Sequence, residues 1–262
     1  MESKYLEYKG IQLHYTDEGK GRTLVFLHGF LENLQMWNCI KVDLIKKYRV
    51  VCVDLPGHGK TPCLSYLHTM SDMADTVKAI LNNLKLRRYV VFGHSMGGYV
   101  ALFFAEKYRQ NVIGIGLINS TPAADSDEKK RNRERAIVAV KQHKKSFISA
   151  SIKQLFWEDN HLKLKNVIAQ TIHEAHKTSV QGIIAALEGM KIRPDLTEVF
   201  LSNATHNLLV KGKFDNVIDH KHLNKICENK LLSCYELKGG HMSYLENNEE
   251  LSYIIKHYVE KL

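Results

Sequence analysis

The segment Gly93-His94-Ser95-Met96-Gly97-Gly98 has the residue types and the spacing that a nucleophilic serine requires. Its Gly-x-Ser-x-Gly pattern follows an apolar run typical of a buried strand and precedes a run typical of a helix. A serine on so tight a turn must adopt strained backbone angles, and the glycines at 93 and 97 leave room for them. The turn also places Oγ at a helix N-terminus, where developing negative charge is stabilised. We therefore predict that Ser95 is a nucleophile and not an incidental serine in a glycine-rich turn.

A serine hydroxyl is a weak nucleophile near neutral pH, so it needs a histidine base and an acid that orients the base. The sequence holds 14 histidines, and their position along the chain distinguishes them. His241 follows the last predicted strand, in a loop that contains two glycines. Asp215 follows the strand before it, and Ser, Asp, His is the chain order expected after this type of turn. We predict that His241 is the base and Asp215 the acid.

Two other positions could supply the acid. Asp219 lies close to Asp215, but it directly precedes a predicted helix and is typical of an N-cap. The strand at residues 112–118 ends in Asn119-Ser120, so no carboxylate stands there. These observations favour Asp215, with a turn or cap aspartate as the alternative interpretation of that residue.

The segment His28-Gly29-Phe30 follows the third predicted strand. In this arrangement a loop after that strand supplies one backbone N–H group of an oxyanion hole, and the residue after the nucleophile supplies the other. We assign these donors to Phe30 and Met96, and we expect the Phe30 ring to line the acyl pocket. Taken alone, His28-Gly29 would indicate only a turn.

Over essentially its full length the chain resembles the α/β-hydrolase superfamily, in the branch that has a serine nucleophile and a helical cap. Members resembling it include carboxylesterases and a carrier-protein methyl ester esterase. The resemblance implies a mostly parallel eight-stranded sheet with helices on both faces, no cofactor and no metal. Serine at 95 departs from the dehalogenase and epoxide hydrolase branches, which have aspartate there. The blocks that carry the resemblance occur in the expected order: His28–Phe30, Asp54–Gly59, Gly93–Gly98, Gly212–Asp215 and Gly240-His241.

The hydrophobic pattern indicates the elements that must position these residues. Strands and helices alternate up to residue 118, which favours a parallel sheet. The predicted strands are Lys4–Tyr8, Gln12–Thr16, Thr23–Leu27, Arg49–Val53, Tyr89–Phe92, Val112–Ile118, Asn207–Lys211 and Leu232–Leu237.

Residues 122–205 contain almost no strand signal and carry polar and basic helical patterns. We expect roughly four helices here: Glu128–Lys145, Phe147–Trp157, Leu162–His176 and Val180–Lys191. The predicted domains are therefore a core, 1–121 with 206–262, and a helical cap, 122–205, inserted after the sixth strand. The cap would set substrate choice, and the pair Phe156-Trp157 makes Trp157 a candidate pocket residue, with core packing as the alternative.

These residues predict hydrolysis of a carboxylic ester, or a related acyl bond, through an acyl-enzyme intermediate. The same three residues would also serve a carbon–carbon bond hydrolase or a menaquinone-pathway synthase-like lyase. A ligand receptor built on this fold without catalysis is a third alternative, because such receptors can retain the three residues.

The formal charge is +9, and much of it lies in the predicted cap. A solvated helix face is one interpretation, and a docking surface for an acidic acyl-carrier partner is the other. No nucleic-acid binding motif accompanies the charge. Between residues 122 and 155, four acidic residues oppose nine basic ones: Lys129, Lys130, Arg131, Arg133, Arg135, Lys141, Lys144, Lys145 and Lys153.

The sequence shows no long apolar run for a membrane span and no secretory signal at its start. Its five cysteines are an odd number without Cys-x-x-Cys spacing, which favours reduced thiols and no metal site. We therefore expect a cytoplasmic protein that acts on a small-molecule ester or acyl substrate.

Overall fold

The computed structural model describes residues 2–203 and 206–262, and its centre is one eight-stranded sheet. The strand order is β1-β2-β4-β3-β5-β6-β7-β8. Strand β2 is antiparallel to both of its neighbours, and the other pairs are parallel. The predicted α/β-hydrolase fold is confirmed. The strands are β1 (Lys4–Tyr8), β2 (Ile11–Glu18), β3 (Thr23–Leu27), β4 (Arg49–Val53), β5 (Tyr89–His94), β6 (Val112–Ile118), β7 (Leu208–Gly212) and β8 (Ser233–Leu237).

The central strands are buried along almost their whole length. Every residue of β3 and β5 is buried, and so are the last four residues of β4. Continuous burial is what a parallel strand covered on both faces requires, and it explains the unbroken valine, leucine and phenylalanine runs. The predicted strand limits differ from the observed ones by no more than two residues.

The order of the strands reverses beside β3, which has β4 on one side and β5 on the other. A reversal of this kind opens a crevice at the carboxyl ends of the strands, where ligands bind in open α/β sheets. The loops after β3, β5, β7 and β8 all leave the sheet at this edge. The strand order therefore brings together segments that are far apart in the sequence.

Helices cover both faces of the sheet, and four of them, α4 to α7, lie between β6 and β7 in the chain. Helix α2 illustrates the local logic: Thr69 caps its N-terminus by accepting a hydrogen bond from the Asp72 N–H, and its apolar stripe is buried. The helices are α1 (Asn38–Leu44), α2 (Met70–Asn83), α3 (Met96–Lys107), α4 (Asp127–Gln154), α5 (Lys165–Ala175), α6 (Val180–Lys191), α7 (Thr197–Leu201), α8 (His220–Cys227), α9 (Ser243–Glu246) and α10 (Asn248–Lys261).

The helical stretch differs in detail from its prediction. The first two predicted helices are one element, α4, with a kink where His143 leaves helical angles (φ −143°, ψ 57°). The short helix α7 carried too little periodic signal to be predicted. Residues 204 and 205, the last two of the predicted cap, lie outside the described residues. None of the helices in the described ranges has the length and hydrophobicity of a membrane span.

Candidate active site

Ser95 occupies a strained turn between β5 and α3. Its backbone angles are φ 49° and ψ −115°, in a region that L-residues avoid, and this costs about 1–3 kcal/mol. A Cβ atom on Gly93 would lie 2.2 Å from the carbonyl oxygen of Gly97, and one on Gly97 would lie 2.3 Å from that of Leu27. Both glycines are therefore required by close backbone contacts. The Ser95 N–H donates to the carbonyl of Ile118 at 3.0 Å, which ties the turn to β6.

The side chain of His241 lies against Ser95. Its Nε2 atom is 2.8 Å from Ser95 Oγ, and its Nδ1 atom is 2.7 Å from Asp215 Oδ2. Because the carboxylate can only accept, Nδ1 carries the proton and donates to it, and Nε2 is left to accept the serine O–H. His241 is almost fully buried and Ser95 is partly exposed. The arrangement leaves Oγ accessible and lets His241 remove its proton.

Asp215 follows β7 and is buried, with a side chain that is 0% exposed. Burial raises the pKa of this carboxyl, but interaction with His241 and hydrogen bonds from Val217 N and Asn119 outweigh it, so the pKa is lowered. Asp215 is therefore ionised at neutral pH and can stabilise a positive charge on His241. Asp219, the rival acid, accepts a hydrogen bond from His222 N and caps α8, as predicted.

Asn119, at the end of β6, belongs to the same network. Its side-chain amide donates to Asp215 Oδ2 and to the carbonyl oxygen of Gly240, each at 3.1 Å. Asn119 adopts φ 46°, a left-handed conformation that asparagine tolerates better than most residues. Sequence reasoning considered this position only as a place without a carboxylate. Its location at the carboxyl end of a central strand was the signal for a role.

The loop that carries His241 is joined to the helical stretch between β6 and β7. The His241 N–H donates to the carbonyl of Leu155 at 2.7 Å. The Glu246 carboxylate accepts from Gly240 N at 2.8 Å and from Trp157 N at 2.9 Å. Gly240 is necessary here, because a Cβ atom would lie 2.7 Å from both the Leu155 carbonyl oxygen and the Trp157 nitrogen. The histidine is thus held by the inserted helices as well as by the sheet.

The backbone N–H groups of Phe30 and Met96 are the predicted donors of an oxyanion site, and neither is used elsewhere among the described residues. Within residues 2–203 and 206–262, neither group has an acceptor. Met96 is the first residue of α3, where N–H groups have no partner inside the helix. Two unpaired backbone donors of this kind can bind an oxygen on which negative charge develops.

The peptide group between Gly29 and Phe30 is fixed by His28. The His28 ring accepts a hydrogen bond from Leu55 N at 2.9 Å and lies 2.7 Å from the Gly29 carbonyl oxygen, to which Nδ1 donates. Burial lowers the pKa of His28, in keeping with one N–H per ring. The Gly29 carbonyl and the Phe30 N–H belong to one planar trans peptide, so holding the oxygen directs the N–H the opposite way.

The two predicted pocket residues differ in their surroundings. The Phe30 ring lies edge-on to His58, with centroids 6.0 Å apart, and is partly exposed. The Trp157 indole stacks on Phe214 at 4.2 Å, and Lys238 Nζ lies 5.6 Å from its centroid. The Trp157 ring therefore packs against Phe214 and Lys238, and its assignment to the substrate site stays a prediction.

The described part of the chain contains no group of three histidine, cysteine, aspartate or glutamate side chains placed to hold an ion. The five cysteines are unpaired as thiols.

Comparison with known proteins agrees with this fold. A family model described as the alpha/beta hydrolase fold matches residues 22–143. A thermophilic esterase from Thermogutta terrifontis is similar in structure, with a TM-score of 0.92, 28% sequence identity and coverage of 100% of this chain and 99% of that one.

Two curated relatives are similar in sequence. An acetyltransferase component of the acetoin cleaving system of Pseudomonas putida, named for its dihydrolipoyllysine residue, is 29% identical over 91% of this chain. The match spans 65% of that protein, so this chain covers less than two thirds of its length. A 2-hydroxy-6-oxononadienedioate/2-hydroxy-6-oxononatrienedioate hydrolase from Paraburkholderia phymatum is 28% identical over 75% of this chain and 66% of its own length. Its sheet order, its strained serine turn and these similarities together identify the chain as a protein of the α/β-hydrolase fold.

Proposed function

We propose that the protein is a serine hydrolase that cleaves a carboxylic ester, with Ser95 as nucleophile, His241 as base and Asp215 as the orienting acid. The observation that carries the proposal is the pair of hydrogen bonds in series, 2.8 Å from Ser95 to His241 and 2.7 Å from His241 to Asp215. A serine with this support on a strained turn has the geometry of an activated nucleophile. The similarity to an esterase over the whole chain is consistent with it.

In the proposed reaction, His241 removes the Ser95 proton as Oγ attacks the ester carbonyl. Asp215 stabilises the resulting imidazolium and keeps its tautomer correct. The tetrahedral intermediate then collapses, and the imidazolium returns its proton to the departing alcohol oxygen. Water, deprotonated by His241, attacks the acyl-enzyme and releases the carboxylic acid and free Ser95.

We assign the oxyanion site to the N–H groups of Phe30 and Met96. The support is that both donors lack an acceptor among the described residues and that Met96 directly follows Ser95. The loop of Phe30 also lies against the serine turn, since a Cβ atom on Gly97 would be 2.6 Å from the His28 carbonyl oxygen. Loss of one such donor typically costs about 2.7–4 kcal/mol of transition-state stabilisation. The same groups would do little for a planar ester, so their effect falls mainly on kcat.

We propose that residues 122–205 form a cap over a core of residues 1–121 and 206–262, and that Phe30 and Trp157 contribute to the pocket beneath it. Support comes from the contacts of Leu155 and Trp157 with the His241 loop. The proposed acidic carrier partner has narrower support. Arg133 is turned inward to pair with Asp125, so the exposed basic residues of α4 would have to carry that contact.

The first test is hydrolysis of p-nitrophenyl esters from acetate to laurate by wild type and Ser95→Ala. Serine-dependent turnover is expected, and the acyl chain length that is cleaved fastest would indicate the length of the acyl pocket. Equal turnover by both proteins would overturn the assignment. No turnover by either would remove simple esters as substrates and would leave carbon–carbon bond cleavage or ligand binding as the function to test.

A carbon–carbon bond hydrolase is the second candidate. The observation in its favour is the similarity to the hydrolase from Paraburkholderia phymatum, whose name denotes dienedioate substrates. A panel that pairs simple esters with vinylogous diketones would separate the two functions. Cleavage of diketones alone would replace the ester proposal, with the same Ser95→Ala control.

A further inference from the structure

Behind the site, Glu32 and His94 form a buried pair that the proposed reaction does not use directly. His94 Nδ1 lies 2.9 Å from Glu32 Oε2, and the two side chains are 1% and 3% exposed. Burying an ion pair is costly, and replacing one by apolar residues is often neutral or stabilising. A contribution to global stability is therefore a weak explanation for this pair.

The partners of His94 define its protonation. Its Nε2 atom lies 2.9 Å from the carbonyl oxygen of His241, which can only accept. Its Nδ1 atom faces Glu32, which accepts when ionised. Both ring nitrogens must therefore donate, and only the imidazolium form carries both protons. Two donated hydrogen bonds thus depend on one positive charge.

The pair reaches both working parts of the proposed site. Glu32 Oε2 also accepts from Gly29 N at 2.7 Å, next to the peptide whose N–H belongs to Phe30. A Cβ atom on Gly29 would lie 2.5 Å from Glu32 Oε2 and 2.8 Å from His94 Nδ1, so this loop rests directly on the pair. At the other end, His94 holds the main chain of the proposed base and directly precedes the proposed nucleophile.

We propose that Glu32 and His94 act as one charged positioning unit that aligns the Phe30 oxyanion donor and the base His241 with Ser95. The inference rests on the proposed serine hydrolase function. Neither residue touches the reacting atoms. Each acts through a backbone group, Glu32 through Gly29 N and His94 through the His241 carbonyl.

The charged and titratable groups around His94 favour its imidazolium form. Burial lowers the pKa of His94, but the charge and hydrogen bond of Glu32, with a contribution from Asp215, raise it by more. The centroid of the Tyr244 ring lies 5.5 Å from that of the His94 ring, and the centroid of the His241 ring lies 5.2 Å from it. His28 is the other imidazole nearby, and burial lowers its pKa, which favours its neutral form. For Glu32 the signs are opposite: burial raises the pKa of its carboxyl, and the interaction with His94 lowers it by more.

Glu32→Gln is the sharpest variant, because it keeps size and removes the charge. His94 then becomes neutral and has one N–H. If that N–H stays toward the introduced amide, the His241 carbonyl loses its donor. If the proton is instead on Nε2 and is donated to the His241 carbonyl, the introduced amide must turn its NH2 group toward Nδ1 of His94. The Gly29 N–H then loses its acceptor. In both cases either the Phe30 oxyanion donor or the base His241 is misaligned with Ser95. We therefore expect kcat to be about 10- to 100-fold lower, with KM little changed.

The kcat–pH profile supplies a readout that a merely structural role would not move. In wild type, kcat is expected to fall as the pH rises through the pKa of His94, which is above 6.5. In Glu32→Gln this alkaline decline should be absent, because His94 is already neutral. Should the variant fail to fold, 15N-histidine NMR of wild type tests the same point. One imidazolium should persist well above pH about 6.5, the ordinary histidine pKa.

The matched control is His14→Gln, in another buried histidine–carboxylate pair. His14 Nδ1 lies 2.7 Å from Asp54 Oδ2, and the side chains are 5% and 2% exposed. This variant should lower the melting temperature and leave kcat unchanged. Wild-type kcat in Glu32→Gln, an unchanged alkaline decline, or a neutral His94 in the NMR spectrum would overturn the inference. Ser95-independent turnover of wild type would instead reject the proposed function, so the two failures are distinguishable.

Discussion

Asn119 and Asp215, which follow the neighbouring strands β6 and β7, are joined by a hydrogen bond from the asparagine amide to carboxylate Oδ2 at 3.1 Å. The same oxygen faces Nδ1 of His241. The second amide hydrogen bond goes to the Gly240 carbonyl, next to His241 in the chain. The Asn119 side chain therefore holds both the proposed acid and the loop of the proposed base. Because Asn119 directly follows β6, both are positioned relative to the end of that strand.

Asn119→Gly should lower kcat about 10- to 100-fold, since a hydrogen bond to a charged group is worth about 1.5–3 kcal/mol. Glycine adopts φ 46° without strain, so the amide is removed while the backbone keeps its conformation. The measurement is kcat with the best p-nitrophenyl ester, beside the melting temperature. An unchanged kcat would show that Asp215 is held sufficiently by Val217 N and His241.

Glu246→Gln should weaken the connection between the His241 loop and the segment at 157–160. The carboxylate accepts three N–H groups, from Gly240, Trp157 and the Asn160 side chain. An amide has one accepting oxygen, so at least one N–H loses its partner. We expect faster amide hydrogen exchange at residues 155–160 and a lower kcat. Glu250→Gln, on an exposed position of α10, should change neither.

Asp125→Asn should destabilise the fold by about 3–5 kcal/mol, because it leaves buried arginine charge uncompensated. Arg133 pairs with this carboxylate, and Arg193 Nη1 lies 2.8 Å from it while stacking on Tyr99. Urea unfolding at neutral pH is the measurement. Asp127→Asn is the control, because its ion pair with Lys130 is exposed and should contribute less than about 1 kcal/mol.

The same carboxyl predicts an acid dependence. Burial raises the pKa of Asp125, but Arg133 and Arg193 lower it by more, so the net pKa is below its usual value. Its stabilisation is therefore complete above the unfolded-state pKa of about 3.9 and is lost as the pH falls through the folded-state value. The free energy of unfolding of Asp125→Asn should lack this acid loss. A parallel decline in wild type and variant would contradict the assignment.

His58 predicts a second pH dependence with a different range. Burial lowers its pKa to about 3, so the folded protein keeps it neutral. The unfolded chain binds a proton near pH 6.5, and stability should fall by up to about 1.4 kcal/mol per unit from there down to about pH 3. His58→Gln should flatten this slope in urea unfolding between pH 6.5 and 4. An identical slope would assign the dependence to other groups, with His28 the first candidate.

Local pattern was sufficient for the strands of the sheet and for the residues that follow them. The valine-rich strands and the Gly-x-Ser-x-Gly turn are determined by neighbours in the chain, because burial and turn sterics act over a few residues. For that reason the sheet could be predicted to within two residues at each strand end, and Ser95, Asp215 and His241 could be chosen. The catalytic roles of these three residues, like those of Phe30 and Met96, stay predictions, and the Ser95→Ala assay tests the role of Ser95.

The supports of the site could not be predicted in the same way. Asn119, Glu32, His94 and Glu246 have no local signature, since each has a partner 62 to 147 residues away in the chain. The helical stretch was also less legible, because the kink at His143 interrupts α4 without a proline or glycine. By itself the sequence determined which residues end the strands. The tertiary structure alone decided which polar groups those ends bring within hydrogen-bonding distance, because burial there obliges each group to find a partner from a distant segment.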